Sequence, residues 1–187
     1  MSILITGSKG FVGRNLAELF SKNKYAVLSP LKDELDLTKS DDVDRYFKNN
    51  RIEIIIHSAT TSREGASYPA DTCENNLRMF FNMQKHMTSS MKMINLGSGS
   101  EYARSYWRKK MPEEYFDKHI PEDRHSYSKY LISKYICDMN SENLICLRIF
   151  GIFGKYENYL YKFISNSIVK NLLIFLQSAG YVSAFSI

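Results

Sequence analysis

"ITGSKGFVG", residues 5–13, sets Gly7, Gly10 and Gly13 three residues apart. The stretch before it, SILIT (2–6), is apolar and β-branched, as a strand covered on both faces is. The stretch after it, FVGRNLAELFSKN (11–23), has helical periodicity. Val12, Leu16, Leu19 and Phe20 share a face, with Arg14, Glu18 and Lys22 elsewhere. Strand, glycine turn and helix together bring bare backbone close to an anionic ligand and aim the free amides of the helix start at its charge. The spacing is G-x-x-G-x-x-G, not the G-x-G-x-x-G of the standard dinucleotide fingerprint. A tight βα turn also needs glycine for steric reasons alone. The rest of the chain has to decide what the turn serves.

Outward from the turn, strands and helices alternate. Strands are predicted at YAVLSP (25–30), IEIIIHSA (52–59), MKMINLGS (91–98) and, with its loop, NLICLRIFGIFG (143–154). Helices are predicted at 40–50, with Ser40 as N-cap, and at 71–87, 126–140 and 159–173. A polar stretch runs from Gly99 to about Arg124. There is no internal repeat or low-complexity linker. The pattern implies an α/β fold, a doubly wound parallel Rossmann sheet with helices on both faces, in which ligands sit at the carboxyl ends of the strands.

The 187 residues suit one domain, or one domain and a fragment of another. Cys73, Cys137 and Cys146 form no C-x-x-C pair, and no His/Cys cluster has zinc spacing, so a reducing cytosol and no metal are expected. Met1 leads straight into a core-like strand, and no apolar run reaches the roughly 18 residues of a membrane span. A cytoplasmic protein without signal peptide or membrane contact is therefore expected. The net charge of +5 is spread out, and the one basic knot, WRKK (107–110), is followed by PEE. Nothing forms the basic stripe with interleaved aromatics that a nucleic-acid partner requires.

Chemistry concentrates in three places. Tyr130 and Lys134 lie one helical turn apart, and an ammonium beneath a phenol favours the phenolate, making the tyrosine an acid or base near neutrality. Tyr106 and Lys110 share that spacing, but Pro112 breaks their segment, so position favours Tyr130. Ser98 should emerge at the carboxyl edge of the fourth strand, near the glycine turn. Lys9 lies inside that turn, and the second strand ends with Ser29 and then Lys32 before any acid. Two cations and a hydroxyl suit a 2′-phosphate, so NADP(H) is favoured, with NAD(H) as the alternative.

TGSKGFVG, LDLT, HSAT, ENNLRMFFN, LGSGSEY, YLISK and LRIFGIFG occur in an order that resembles the extended short-chain dehydrogenases/reductases. These are the NAD(P)-dependent nucleotide-sugar epimerases, dehydratases and 4-keto reductases. LKDELDLTKSDDVDRYF (31–47) most resembles GDP-fucose synthases and their sugar-reductase relatives. The resemblance covers about residues 2–170, taken as an NAD(P)-binding Rossmann domain at 1–170 with a remnant or aberrant tail at 171–187.

The resemblance implies that Gly7, Gly10 and Gly13 line the pyrophosphate, with backbone contacts from Phe11 and Val12. It places Asp36 and Leu37 at the adenine edge, Ala59 by the adenosine ribose, and Asn76 as a brace for the cofactor loop. Ser98, Tyr130 and Lys134 match the catalytic triad, Lys134 also reaching the nicotinamide ribose. The substrate would be a GDP-, UDP- or dTDP-linked sugar, and the assembly a homodimer through helices 71–88 and 126–140, with Phe80, Phe81, Met83, Tyr135 and Ile136 as its apolar patch. Ser100 stands where an epimerising relative has cysteine, no histidine follows His125, and Gly151 replaces an asparagine that touches nucleotide-sugar. Relatives continue past the last helix, so the substrate lobe is expected to be mostly missing. That leaves a second reading, a non-catalytic truncated NAD(P)-binding module.

Overall fold

Alternate residues of the first strand, β1 (Ser2–Thr6), feed two separate cores. Leu4 joins one cluster while Ile3 and Ile5 join the other, as the two-residue period of a strand requires. The computed structural model describes residues 1–65, 67–158 and 163–178. After β1 come α1 (Phe11–Lys22), β2 (Ala26–Leu28), α2 (Ser40–Asn49), β3 (Ile54–His57) and α3 (Thr72–Gln84). They are followed by β4 (Lys92–Ser98), α4 (Arg124–Met139), β5 (Leu144–Ile149) and α5 (Phe163–Ser178). The chain divides into two units, Met1–Gly151 and Ile152–Ile187. α5 belongs to the second and runs through position 170, where the sequence reading drew its boundary. The last nine residues of the expected tail, 179–187, lie outside the described residues.

The strands pair in the order β2-β1-β3-β4-β5, all parallel. This is the doubly wound Rossmann-type sheet that the alternation implies. The chain moves outward from β1 to β2, then crosses back to β3 on the other side. The β1–β3 boundary is therefore the switch point, where a ligand crevice opens. α1 covers one face, packing Leu16, Ala17 and Phe20 on Ile3, Ile5 and Ile56. On the other face Val43, Met79, Phe80, Met83, Ile132 and Ile136, from α2, α3 and α4, close over Leu4, Ile55 and Met93.

Several details differ from the sequence reading. Leu19 is 53% exposed, because the inward arc of α1 is centred on Gly13, Ala17 and Phe20. Ser40 is the first helical residue of α2 and Lys39 its N-cap; the Ser40 hydroxyl accepts from Lys85 Nζ at 2.6 Å instead. The apolar set read as a dimer patch is mostly interior. Phe80, Met83 and Ile136 are buried against the sheet, leaving Phe81 exposed and Tyr135 half-buried.

One buried polar cluster ties the switch point together. Thr6 Oγ1 accepts from the backbone N–H groups of Ser58 and Ala59, each at 3.2 Å. That occupies both of its lone pairs, so its hydrogen is directed to His57 Nδ1 at 2.9 Å. His57 is therefore neutral, with its proton on Nε2. Burial, with Lys129 nearby, lowers its pKa to about 3.

Two outcomes follow from this packing. Phe80 is fully buried, with its ring against Phe81 and Tyr135; Phe80→Ala should cost about 3–5 kcal/mol in chemical denaturation, and Phe81→Ala clearly less. His57 titrates near 6.5 when unfolded and at about 3 when folded, so the unfolded chain binds the extra proton. Its contribution is complete above pH ~6.5 and is lost as pH falls towards about 3, with a slope of at most ~1.4 kcal/mol per pH unit. Denaturation of wild type and His57→Gln across that window should show the steeper acid loss in wild type.

Candidate active site and cofactor cleft

The turn after β1 is built by two close approaches. Gly7 has φ +68°, and a Cβ there would lie 2.8 Å from the Ala59 nitrogen. A Cβ on Gly13 would lie 2.3 Å from the Gly7 carbonyl oxygen. Neither position admits a side chain, so the start of α1 presses on the turn and the turn presses on the segment leaving β3. Gly10 is the N-cap of α1 and supplies no side-chain cap, which leaves the first amides of the helix for a ligand.

Above this turn lies a cleft of about 510 Å³, within the range of small-molecule sites. Among the sequence-predicted residues, Gly7, Lys9, Gly10, Lys32, Asp36, Leu37 and Ala59 line it. Phe11, Val12, Gly13, Ser29 and Asn76 stand behind or beside it and are not lining residues. The Ser29 carbonyl accepts from the Ser8 hydroxyl at 3.2 Å, holding the β2 exit against the glycine turn. Lys9 and Lys32 are exposed. Asp36 is partly buried, which would raise its pKa; the hydroxyl and amide of Thr38, with Lys32 and Lys39, bring it below the ordinary value. Its carboxylate is thus committed to the Thr38 turn. Leu37 is buried, and its carbonyl accepts from Asn82 Nδ2 at 2.9 Å.

Asn76 is buried and works from below. Its Oδ1 accepts from Thr61 N at 2.8 Å and from the Thr60 and Thr61 hydroxyls, while Nδ2 donates to Ser128 Oγ on α4 at 2.8 Å. Thr60 and Thr61 are lining residues that the sequence reading missed. Ser8 and Thr60 fall inside the quoted TGSKGFVG and HSAT stretches, whereas Pro30, Thr61 and Ser62 carry no motif beyond their place at a strand end.

The proposed catalytic trio, Ser98, Tyr130 and Lys134, does not line this cleft. Ser98 ends β4, on the same carboxyl edge of the sheet as the glycine turn. Its Oγ accepts from Ser100 N at 3.2 Å and Ser100 Oγ at 3.0 Å, which leaves its hydrogen to donate. Its own N–H donates to Glu101 Oε1 at 2.6 Å, closing a capping box. Glu101 is fully buried, and burial raises its pKa against the pull of Ser133, Ser98 and Arg148. Arg148 Nε donates to Glu101 Oε2 at 3.2 Å, and the same guanidinium lies 3.9 Å from the Phe116 ring centroid. Phe116 packs in turn on Tyr130, ring centroids 5.5 Å apart. A continuous path of contacts therefore links the Ser98 loop to Tyr130.

Tyr130 is buried, and its hydroxyl donates to Asp117 Oδ1. Lys134 Nζ donates to Asp117 Oδ2 at 2.6 Å. The expected lowering of the phenol pKa is reversed. Burial, then the hydrogen bond to Asp117 and its charge, push Tyr130 up to about 12, although Lys134 opposes them. The i, i+4 spacing had disclosed the lysine and not the carboxylate. Glu101 was readable from its S-x-x-E spacing; Arg148 lies inside the quoted LRIFGIFG stretch, but neither its pairing with Glu101 nor the place of Asp117 carried a local signal.

Among the described residues no helix is long and apolar enough to cross a membrane, and no group of three or more His, Cys, Asp or Glu could hold a metal. The cysteines are unpaired.

Comparison with known proteins bears on the fold and the family. Over 107 residues the chain is 29% identical to a GDP-L-colitose synthase of Yersinia pseudotuberculosis, covering 54% of this chain and 35% of that one. Over 105 residues it is 27% identical to a GDP-L-fucose synthase of Azorhizobium caulinodans, covering 54% and 34%. The match thus spans about a third of either relative's length. Two solved structures from Campylobacter jejuni share the fold. A GDP-mannoheptose C4 reductase with NADP bound has a TM-score of 0.77 at 23% identity, covering 97% of this chain and 60% of that one. A GDP-D-glycero-L-gluco-heptose synthase solved in the presence of NADPH gives 0.76 at 21%, with the same coverage. The profile of one family matches residues 3–174, nearly the whole chain. The protein belongs to the NAD dependent epimerase/dehydratase family.

Proposed function

We propose that this chain is the cofactor-binding and catalytic part of an NADP(H)-dependent nucleotide-sugar reductase, or of an epimerase/dehydratase of the same family, with Ser98, Tyr130 and Lys134 as its catalytic side chains. The observation that carries the reading is the bare backbone of the glycine turn at the switch point of the sheet, where Gly7 and Gly13 admit no side chain. A diphosphate fits there against the uncapped start of α1. Lys9 and Lys32 on the cleft wall suit the 2′-phosphate of NADP(H), and both Campylobacter structures are described with NADP or NADPH. The curated relatives are named for GDP-sugars, which favours a GDP-linked substrate among the nucleotide-sugars.

A nicotinamide bound in the cleft would supply or take a hydride at a sugar carbon. Tyr130 carries its proton at neutral pH and can give it to the oxygen of a sugar carbonyl once Asp117, whose hydrogen bond and charge help to hold the phenol up at about 12, no longer takes that proton. Ser98 has a hydroxyl hydrogen to place on the same oxygen. The Lys134 ammonium, which in the structure donates to Asp117, would stabilise the phenolate that remains and would reach the ribose hydroxyls of a bound cofactor. Ser100, at the position of the cysteine in epimerising relatives, is 2% exposed and donates its hydroxyl to Ser98. It braces that serine and is not free to move a substrate proton, which favours reduction over coupled epimerisation. The remaining parts of the proposal are a cytoplasmic location and a homodimer through α3 and α4 centred on Phe81 and Tyr135.

Calorimetric titration of the purified chain should give at least about tenfold tighter binding of NADPH than of NADH, with Lys32→Ala weakening NADPH alone; a preference for NADH overturns the cofactor assignment. In an assay of hydride transfer with a panel of sugar nucleotides, Tyr130→Phe should lower turnover by about 10²–10⁴-fold while NADPH still binds. Undiminished turnover would remove Tyr130 from the chemistry, and cofactor binding with no turnover on any sugar would favour the non-catalytic module.

A further inference from the structure

Both donors of the Tyr130–Lys134 pair are taken up by one carboxylate that no motif announces. Asp117 Oδ1 accepts from the phenol and Oδ2 from the ammonium, the latter at 2.6 Å. The segment that delivers it is anchored just before the contact. After Pro112 a short 3-10 turn, Glu113–Tyr115, leads to Phe116. The Phe116 ring is held between Tyr102, Tyr130 and the Arg148 guanidinium. Asp117 follows with φ +68°. This left-handed conformation is one that aspartate tolerates better than most residues, and here it brings the carboxylate to α4.

We propose that Asp117 is a latch: its carboxylate occupies the seat between Tyr130 and Lys134 that ligand hydroxyl groups would take, and it has to swing out before cofactor and substrate can engage the pair. The inference rests on the reading of Tyr130 and Lys134 as the hydride-transfer pair. Tyr130 is 3% exposed, and its hydroxyl hydrogen is committed to Asp117. Asp117 and Lys134 are 42% and 41% exposed, and ion pairs that open to water contribute little. The latch is therefore cheap to open, with Phe116 as the fixed hinge post. An incoming diol offers Lys134 neutral oxygen acceptors and leaves the phenol hydrogen for a sugar oxygen. Asp117 acts on the chemistry only through Tyr130 and Lys134, as a positioning residue.

The test uses Asp117→Gly, which removes the carboxylate and accepts the left-handed backbone, with Asp117→Asn as the isosteric companion. A latch closed about nine-tenths of the time weakens binding about tenfold, so Asp117→Gly should bind NADPH about tenfold more tightly, and Asp117→Asn should show a smaller gain. The second readout is the phenolate absorbance of Tyr130, isolated by subtracting the matching Tyr130→Phe protein. It should move to lower pH in both variants. Unchanged or weaker NADPH affinity in folded Asp117→Gly overturns the latch. If wild type and variant alike bind no NADPH, the hydride-transfer reading fails and the latch on that pair fails with it, whereas NADPH binding that Asp117→Gly leaves unimproved sinks the latch alone.

Discussion

Between Gly13 and the carbonyl of Gly7 there is no room for a methyl group; a Cβ would stand 2.3 Å from that oxygen. That one approach fixes where α1 begins relative to β1. Gly7, turned left-handed against Ala59, fixes where the turn sits relative to β3. Every other feature of the cleft is referred to these contacts, because they set the height of the backbone floor beneath a ligand. Gly10 has a different job. A Cβ there would meet the Gly7 oxygen at 3.2 Å, a tight but negotiable contact, and its main effect is to leave the helix start without a side-chain cap.

The buried strands announced themselves through runs such as SILIT and IEIII, and the order of elements followed from turn chemistry and period. What did not show was direction. An apolar residue at position 80, 83 or 136 looks alike whether it faces the sheet or a partner. Only the placement of α3 and α4 over β1, β3 and β4 assigns it to the core. Leu19 failed for a related reason, lying at the margin of an arc whose centre a hydropathy pattern cannot locate within one residue.

The site divides in the same way. Tyr130 and Lys134 were readable because helical geometry relates i to i+4, and Ser98 because strand ends face the ligand edge. Contacts across larger separations were not. Arg148 reaches Glu101 over 47 positions, and Asp117 reaches Tyr130 over 13 through an irregular loop. The electrostatic sign at the phenol depends on the second of these, so an argument from the lysine alone came out reversed.

The polar interior of α4 explains how the two parts of the site stay in register. Its Ser128 bonds to Asn76, which holds the Thr60–Thr61 rim of the cleft. Its Lys129, buried, donates to the Leu96 carbonyl of β4 at 2.9 Å, two residues before Ser98. Ser133 meets Cys146 of β5 at 2.9 Å. An apolar helix face can slide or turn against a sheet at modest cost, whereas each of these groups would be left buried and unpaired by a shift of one residue. Lys129 bears the heaviest penalty, since an unpaired ammonium in that interior is far costlier than an unpaired hydroxyl. A rotation of α4 that freed Lys129 would also carry Tyr130 and Lys134 away from Asp117 and loosen the cofactor rim. The position of the phenol is therefore fixed from behind, by polar bonds to β4 and α3, so that displacing Asp117 in front of it changes which groups it meets without changing where it stands.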